Sequence, residues 1–173
     1  SGACLFIRAN DFHQMNGFDA DFFAHMEEID LCWRLKKQNR QIYYSGKSEV
    51  YHVGGGTLNY DTPKKTYLNF RNSLFMIIKN HHGMLFPKLV WRMCLDGLAG
   101  AVFIAKFQFA HFAAVFKAHM SVYARLRTFL KKRKTLKTPT KPTLTGLYKG
   151  NITFRKFLGG VNRYSQLKQD KFL

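Results

Sequence analysis

The chain has 173 residues and a strongly basic composition, with 28 Lys and Arg against 10 Asp and Glu and a formal net charge of +18. Apolar residues make up 46% of it, enough to build a core, which excludes a wholly disordered chain. The three cysteines, Cys4, Cys32 and Cys94, are too few for a disulfide framework and lack the spacing of a metal site.

Short elements are predicted for the first third of the chain. Ala3–Ile7 is an apolar run typical of a buried strand, so the sequence opens as if cut from a longer protein. A helix is predicted over Glu27–Lys37, because acids stand in its first turn and lysines in its last. Strand-like runs follow at Ile42–Tyr44 and Glu49–Val53, and Gly54–Gly56 indicates a flexible loop.

Helices are predicted for most of the remaining chain. Thr66–Lys79 carries apolar residues at helical spacing, and the pattern continues from Phe86 to about Lys131. Charge-free runs in this second region are about half the ~20 residues of a membrane span, which favours helices that lie on a bilayer or pack on a missing domain. Thr135–Thr145 is predicted to be a linker. The apolar stripe of the second region comprises Phe112, Val115, Phe116, Val122 or Tyr123, and Leu126.

Acidic and basic residues are distributed unevenly. Six of the ten acids fall within the first 30 residues, whereas Asp170 is the only acid beyond Asp96, in a stretch with 16 Lys and Arg. This asymmetry predicts a functional division of the chain. An acidic front suits chemistry on sugars, metals or hydroxyls, and a basic, aromatic rear suits a polyanion such as nucleic acid or an anionic bilayer.

Three carboxylates are crowded into the first turn of the helix predicted over residues 27–37. Glu27 and Asp30 share a face, Glu28 points about 100° away from Glu27, and Asp30 can pair with Arg34 one turn further on. One carboxylate could thus be held by the arginine while another faces a cleft as a general base. The alternative is a set of solvated acids at the start of a helix.

An ordered series of motifs runs from residue 2 to about residue 58. The motifs are Gly2-Ala3 before the apolar run and Arg8, Asn16-Gly17-Phe18-Asp19, Phe22-Phe23, Glu27-Glu28-Ile29-Asp30-Leu31-Cys32-Trp33-Arg34, Ile42-Tyr43-Tyr44, and Val50-Tyr51-His52 with Gly54–Thr57. Taken in this order, they resemble the C-terminal half of family 2 glycosyltransferases, which are inverting enzymes of the GT-A fold. Asn16 replaces a glycine of the family's loop, which asparagine tolerates if the backbone there is left-handed. Arg71-Asn72 extends the resemblance more loosely.

The resemblance implies the α/β fold class, with the C-terminal half of a GT-A-type nucleotide-sugar transferase domain followed by a mainly helical, basic extension. It implies a catalytic, acceptor-side half over residues 1–62, called the front region below. An amphipathic basic helical region would follow over residues 63–134, and a linker with a basic tail over residues 135–173. Residues 63–173 are together called the rear region. The nucleotide-binding half of such a domain is not recognised in this sequence.

The same resemblance assigns roles to residues of the front region. The family's general base maps onto Glu28, but the family usually has Asp there, so both Glu27 and Glu28 are candidates, with Asp30 beside them as a third catalytic residue. His52 would contact a metal or a diphosphate; the alternative is a strand-end histidine bonded to a backbone carbonyl. Trp33 would stack on a sugar ring or pack in the core. The implied substrate-binding residues are Gly17, Phe18, Asp19, Trp33 and Arg34.

The function implied by the resemblance is transfer of a sugar from a nucleotide-sugar donor to a hydroxyl acceptor during synthesis of cell-surface polysaccharide. The sugar would be a hexose or rhamnose, and the acceptor a sugar or a lipid-linked acceptor. A divalent cation, Mg²⁺ or Mn²⁺, would be held mostly by the missing N-terminal half. This chain alone is therefore expected to be inactive.

Basic residues surround the aromatic stripes of the rear region. Three interpretations are open: a membrane-surface anchor, a nucleic-acid-binding surface, and helices packed on a missing half. The resemblance favours the anchor, with a peripheral position on the cytoplasmic face of the bacterial inner membrane, because such transferases often act on lipid-linked acceptors there. The sequence shows no recognisable signal peptide and no clear transmembrane helix. The alternative function is a non-catalytic basic module that binds an anionic membrane or nucleic acid. The basic residues are Lys106, Lys117, Arg125, Arg127 and Lys131–Lys134.

Overall fold

The computed structural model describes residues 2–52, 61–136, 148–150, 152–157 and 159–172, and over these residues the fold is helical. The predicted loop at Gly54–Gly56 and most of the predicted linker at Thr135–Thr145 lie outside the described residues. The helices are α1 (Ala9–Gln14), α2 (Glu27–Lys37), α3 (Pro63–Asn80), α4 (Leu85–Ala105), α5 (Phe109–Thr135) and α6 (Ile152–Phe157). Short 3-10 turns cover Ala20–Phe22, Tyr164–Gln166 and Gln169–Lys171.

The expected α/β fold class is wrong, because the described residues contain no β-strand and no sheet. The runs at Ala3–Ile7 and Ile42–Tyr44, and the described part of Glu49–Val53, belong to no strand ladder. A strand is stable only when its backbone groups pair with a neighbour, and no such neighbour is present in the described part of the chain. Aromatic side chains of these runs are accordingly exposed: Phe6, Tyr43, Tyr44 and Tyr51.

The helix predictions are confirmed. Helix α2 has the bounds that its charge pattern predicts, with acids in the first turn and basic residues in the last. Helix α3 begins at Pro63 rather than Thr66, because the Thr62 side chain caps it by accepting a hydrogen bond from the Lys65 N–H at 3.3 Å. The long region after Phe86 divides into α4 and α5 at a turn where Phe107 has a φ of 58°.

Helices α4 and α5 form an antiparallel hairpin beside α3. Asp96 Oδ2 lies 3.1 Å from His119 Nε2 in the body of the hairpin. Nearer the connecting turn, a Cβ on Gly100 would lie 3.3 Å from a ring carbon of Phe112, so the helices approach closely there. The outer end of the hairpin, residues 102–112, is called the hairpin tip below.

The hydrophobic core joins the front of the chain to α3 and α5. The rings of Phe75 and Phe129 stack with centroids 3.8 Å apart, and Phe22 meets Phe129 edge-on at 6.1 Å. All three rings are fully buried, and burial of one such side chain stabilises a fold by about 3 kcal/mol. Because Phe22 precedes α2 while the other two rings lie on α3 and α5, the front and rear regions share one core.

The apolar stripe predicted on α5 is divided between two faces of the helix. Val115 and Val122 are buried, whereas Phe112, Phe116 and Tyr123 are exposed. Helical spacing puts apolar residues on more than one arc, and only the position of α3 decides which arc enters the core. No helix in the described ranges combines the length and apolarity required to cross a bilayer.

Candidate active site

The segment between α1 and α2, residues 16–26, is called the acidic loop because it carries Asp19 and Asp21. Four of its non-glycine residues have a positive φ, which costs L-amino acids on the order of 1–2 kcal/mol each. They are Asn16, Phe23, His25 and Met26, with φ of 56°, 63°, 68° and 73°. Such conformations persist where the surrounding structure imposes them, and they cluster at active sites and ligand clamps.

The acidic loop begins with a tight turn. Gly17 has a φ of 61°, and a Cβ there would lie 2.9 Å from the Phe12 ring, so the turn requires glycine. Asn16 has a φ of 56°, so the position is left-handed, which is the condition under which asparagine tolerates it. Gly17, predicted as a substrate-binding residue, thus shapes the loop through its backbone.

Two side chains of α3 hold the acidic loop in its strained conformation. The Asn72 side-chain nitrogen lies 2.8 Å from each of the carbonyl oxygens of Phe22, Ala24 and His25 and donates hydrogen bonds to them. Arg71 donates two further hydrogen bonds to loop carbonyls. Asn72 is fully buried, so no water would replace these donors if they were lost. The loop conformation is therefore imposed by α3.

Asp30 is the centre of a buried charge network between α2 and α3. It is fully buried and accepts hydrogen bonds from Arg34 Nε at 2.8 Å, Lys79 Nζ at 2.8 Å and Asn80 Nδ2 at 2.7 Å. The predicted pair of Asp30 with Arg34 is confirmed. Arg34 also donates to the carbonyl of Gly17 at 2.8 Å, which ties α2 to the acidic loop. These contacts support a positioning role for Asp30 and Arg34.

Asp19 and Asp21 pair with basic residues of α3 and α5. Lys132 Nζ lies 2.6 Å from a carboxylate oxygen of each, Lys79 Nζ lies 2.7 Å from Asp19, and Arg125 lies 2.6 Å from Asp21. Burial alone would raise the pKa of Asp19, but hydrogen bonds from Lys132 and Lys79 outweigh it and lower this pKa to about 2. The hydrogen bond from Lys132 also lowers the pKa of Asp21. The rear region thus neutralises the acidic loop.

Glu27 and Glu28, the candidate bases, begin α2 directly after the strained loop, and both are half-buried. The Oε2 atom of Glu27 is buried and has no hydrogen-bond partner in the described part of the chain. Glu28 packs beside Gly2, where an added Cβ would lie 3.5 Å from the Glu28 carboxyl carbon. Two glutamates therefore occupy the first two positions of a helix, directly after the strained loop.

Two ring nitrogens near these glutamates are also unpaired. His25 Nε2 and Trp33 Nε1 are buried without a hydrogen-bond partner among the described residues, as is one oxygen of Glu27. An unsatisfied buried polar group costs about 1–3 kcal/mol, and native structures contain few of them. Three such groups lie between residues 25 and 33 of the sequence, and each is an unsatisfied buried polar atom.

Two hollows lie along the extended segments of the front region. The smaller, about 390 Å³, is lined by residues 2–7 together with Phe12 and Phe18, which places the predicted substrate-binding Phe18 at an open surface. The larger, about 920 Å³, is lined mainly by residues 3–8 and 39–45. Neither glutamate lines these hollows, but Gly2, the neighbour of Glu28, lines the smaller one.

His52, the predicted metal contact, is an exposed residue at the end of the described range 2–52. Within the described ranges, no three His, Cys, Asp or Glu side chains converge in a way that could hold a metal ion. Mg²⁺ and Mn²⁺ prefer several oxygen ligands, and this set does not supply them. These residues therefore do not fit a resident cation, and the mechanism below includes no metal-dependent step.

Four residues that contact Asp19, Asp21 or Asp30 had no predicted role in the site. They are Lys79, Asn80, Arg125 and Lys132. The first two end an apolar run on α3, a pattern that indicates a buried polar contact. The other two stand seven positions apart on one face of α5, which indicates a common partner. Neither signal identifies that partner, because the acids concerned are distant in sequence.

The site that these residues build is two glutamates at a helix start, behind a strained loop that hydrogen bonds from α3 and ion pairs with α3 and α5 hold in place. Over part of its length, the chain is similar to glycosyltransferases. The similar proteins include two rhamnosyltransferases and a hexosyltransferase. No family model matches the chain. No solved structure matches it either.

The relatives match limited parts of the chain. It is 29% identical over 93 residues to N-acetylglucosaminyl-diphospho-decaprenol L-rhamnosyltransferase of Mycobacterium tuberculosis, a match that covers 54% of this chain and 30% of that protein. Rhamnosyltransferase WbbL of Escherichia coli is 39% identical over 52 residues, which cover 30% of this chain and 20% of that protein. The low-salt glycan biosynthesis hexosyltransferase Agl10 of Haloferax volcanii is 28% identical over 72 residues, which cover 41% of this chain and 24% of that protein. Each match spans less than a third of the relative.

Proposed function

We propose that this chain is part of an inverting family 2 glycosyltransferase, which moves a hexose or rhamnose from a nucleotide-sugar donor to an acceptor hydroxyl. The observation that carries the proposal is the start of α2, where Glu27 and Glu28 follow a strained loop held by α3 and one carboxylate oxygen is left unpaired within the described residues. Partial similarity to rhamnosyl- and hexosyltransferases supports it.

In the proposed reaction Glu28 is the general base, and Glu27 is the alternative. The carboxylate takes the proton of the acceptor hydroxyl while the hydroxyl oxygen attacks the anomeric carbon of the donor. The bond from that carbon to the diphosphate breaks on the opposite face, so the configuration inverts and the nucleoside diphosphate leaves with the bonding electron pair. A well-placed base accelerates such a step by about 10²- to 10⁴-fold.

The buried charge network has a positioning role in this proposal. Asp30 joins α2 to Lys79 on α3, and Arg34 joins α2 to the carbonyl of Gly17 at the start of the acidic loop. The acceptor would lie near Phe18, Asp19 and Trp33, and the network would hold the start of α2 against the acidic loop. Fixing the reacting groups beforehand avoids the entropy loss of orienting them during the reaction.

The acceptor in this proposal is a sugar carried on a lipid diphosphate and used to build cell-surface polysaccharide, since the name of the mycobacterial relative specifies such an acceptor. The donor and a divalent cation would be bound mostly by parts of the enzyme outside these 173 residues. The chain alone would therefore not turn over. The enzyme would act as a peripheral protein at the cytoplasmic face of the bacterial inner membrane.

The base is tested in the complete enzyme with Glu28→Gln and Glu27→Gln, and with Glu49→Gln as an exposed control. Transfer is measured from a nucleoside-diphosphate-rhamnose to N-acetylglucosaminyl-diphospho-decaprenol. Glu28→Gln should lower kcat at least about 100-fold with little change in KM, because the amide cannot accept the proton. Glu49→Gln should leave kcat unchanged. A large loss only in Glu27→Gln would move the base to that residue, and full activity in both would refute the proposal.

The alternative function, a nucleic-acid-binding module, is tested by a gel shift with RNA or DNA. Under the proposed function, binding is weak and non-specific, because it comes only from the general positive charge of residues 61–173. Tight, salt-sensitive binding that survives removal of residues 1–60 would favour the alternative.

A further inference from the structure

The hairpin tip is a surface that the proposed reaction does not use. Its large apolar side chains are exposed to solvent, and Phe107 is 81% exposed. The rings of Phe107 and Phe109 meet edge-on with centroids 6.2 Å apart, outside the core. A contiguous exposed apolar patch of this kind indicates an interaction surface. The patch comprises Val102, Ile104, Phe107, Phe109 and Phe112.

The exposed apolar surface continues from the tip along one face of α5. Its members recur every three or four residues, which is the spacing of a single helical face. The neighbouring face, which includes Val115 and Val122, is buried. Folding thus buries one apolar face of α5 and leaves a second one largely exposed, although Phe112 lies against Gly100 of α4 and the Tyr123 hydroxyl lies 3.9 Å from Met93 Sδ. The exposed members are Phe109, Phe112, Phe116, Met120 and Tyr123.

Exposed charge on this surface has one sign. Asp96 is the only acidic residue in the sequence of α4 and α5, and it is fully buried and paired with Arg92 and His119. Lys106 at the tip and Lys117 on α5 are exposed. Exposed rings beside lysines, without an exposed acid, complement a bilayer with anionic headgroups, because rings enter the acyl boundary while ammonium groups remain among the phosphates.

We propose that the hairpin tip docks on an anionic lipid bilayer, with Phe107 and Phe109 at the boundary of the acyl chains and Lys106 and Lys117 on the lipid phosphates. The choice of a bilayer as partner rests on the proposed function, and the assignment to the tip rests on exposure and charge. This differs from the anchor that the sequence predicts, because Arg125 and Lys132 face the acidic loop and pair with its carboxylates.

Vesicle flotation of the 173-residue chain tests the docking surface. Vesicles of phosphatidylcholine with phosphatidylglycerol should bind the chain at least about tenfold more tightly than phosphatidylcholine alone. Phe107→Ser with Phe109→Ser should weaken this binding about tenfold or more. Lys106→Glu with Lys117→Glu should abolish the preference for the anionic vesicle. Tyr43→Ser with Tyr44→Ser, which removes two exposed rings outside α4 and α5, is the matched control and should bind normally.

Insertion is tested with an indole probe and brominated phosphatidylglycerol vesicles. The F107W variant should show a blue-shifted emission that bromine quenches, and the Y44W variant should not. Unchanged vesicle binding of the Phe107→Ser, Phe109→Ser variant would overturn the proposal. So would a chain that self-associates through the tip in ultracentrifugation without binding vesicles, since the occupant would then be a second copy.

The same measurements separate this proposal from the proposed function. Glu28→Gln should bind vesicles as the unchanged chain does, because Glu28 lies on α2 and not on the hairpin. Loss of transfer with intact vesicle binding, or the reverse, therefore identifies which proposal fails. Circular dichroism of the Phe107→Ser, Phe109→Ser variant should match that of the unchanged chain, since both rings are exposed.

Discussion

The acidic loop and the hairpin tip differ in whether the fold supplies partners for their charged and aromatic side chains. In the loop, Asp19 and Asp21 meet basic residues of α3 and α5, and the adjacent Phe22 is fully buried. At the tip, Phe107 and Lys106 are exposed. A charged or aromatic segment is available to an external binding partner only where other residues of the fold do not already contact it.

Among changes to the buried polar contacts, the largest loss in free energy of unfolding should come from Asp30→Ala. Removal of this carboxylate leaves Arg34 and Lys79 buried without their shared anion, and breaking a buried ion network costs about 3–5 kcal/mol. Urea unfolding measures the loss. The control Asp11→Ala removes an ion pair with Arg40, which is 48% exposed, and should cost under about 1 kcal/mol. Equal losses in free energy of unfolding from the two variants would mean that the buried network contributes no more to stability than the exposed ion pair.

A smaller loss is expected from Asn72→Ala. This change removes the donor for three loop carbonyls, and leaving such groups buried and unpaired costs about 2 kcal/mol. Freed from α3, the left-handed loop should relax, and sugar transfer by the complete enzyme should fall with it. Asn69→Ala, on the same helix, is the control for helix propensity. A stable Asn72→Ala chain with full activity would contradict the view that α3 imposes the loop conformation.

Lowering the pH should reduce the free energy of unfolding by about 2 kcal/mol, because the Asp19 carboxylate becomes protonated. The pKa of Asp19 is about 2 in the folded chain against 3.8 for an unperturbed aspartate, and its side chain is only 12% exposed. Because the folded pKa is the lower one, this stabilisation is complete above about pH 4 and is lost as the pH falls towards 2. The check is the unfolding free energy of the chain minus that of Asp19→Asn at each pH. A difference that does not change between pH 5 and pH 2 would rule the linkage out.

The smallest effect is expected at the tip. Phe107→Ser should change the unfolding free energy by no more than about 0.5 kcal/mol, because the ring is exposed and packs in no core. The contrasting change is Phe129→Ala, which empties a fully buried site and should cost about 3–5 kcal/mol. A costly Phe107→Ser would show that the tip has a structural function after all.

Local interactions are the part of this fold that the sequence predicts well. Helix α2 and the pair of Asp30 with Arg34 are settled by residues within one or two turns of each other. The predicted strands failed because a strand depends on a neighbour that no local pattern supplies. Lys132 was beyond prediction as a partner of Asp19, since 113 positions separate them. The domain boundaries and the catalytic roles of Glu27 and Glu28 stay predictions.

Local sequence is enough to set the bounds of α2, the crowding of acids at its start and the positive charge of the rear region, because propensity, capping and i, i+4 spacing act over a few residues. Tertiary packing sets which charges neutralise each other and which apolar face of α5 enters the core. Those outcomes depend on how α3 and α5 lie against the acidic loop, which is a property of the packed chain and of no single segment.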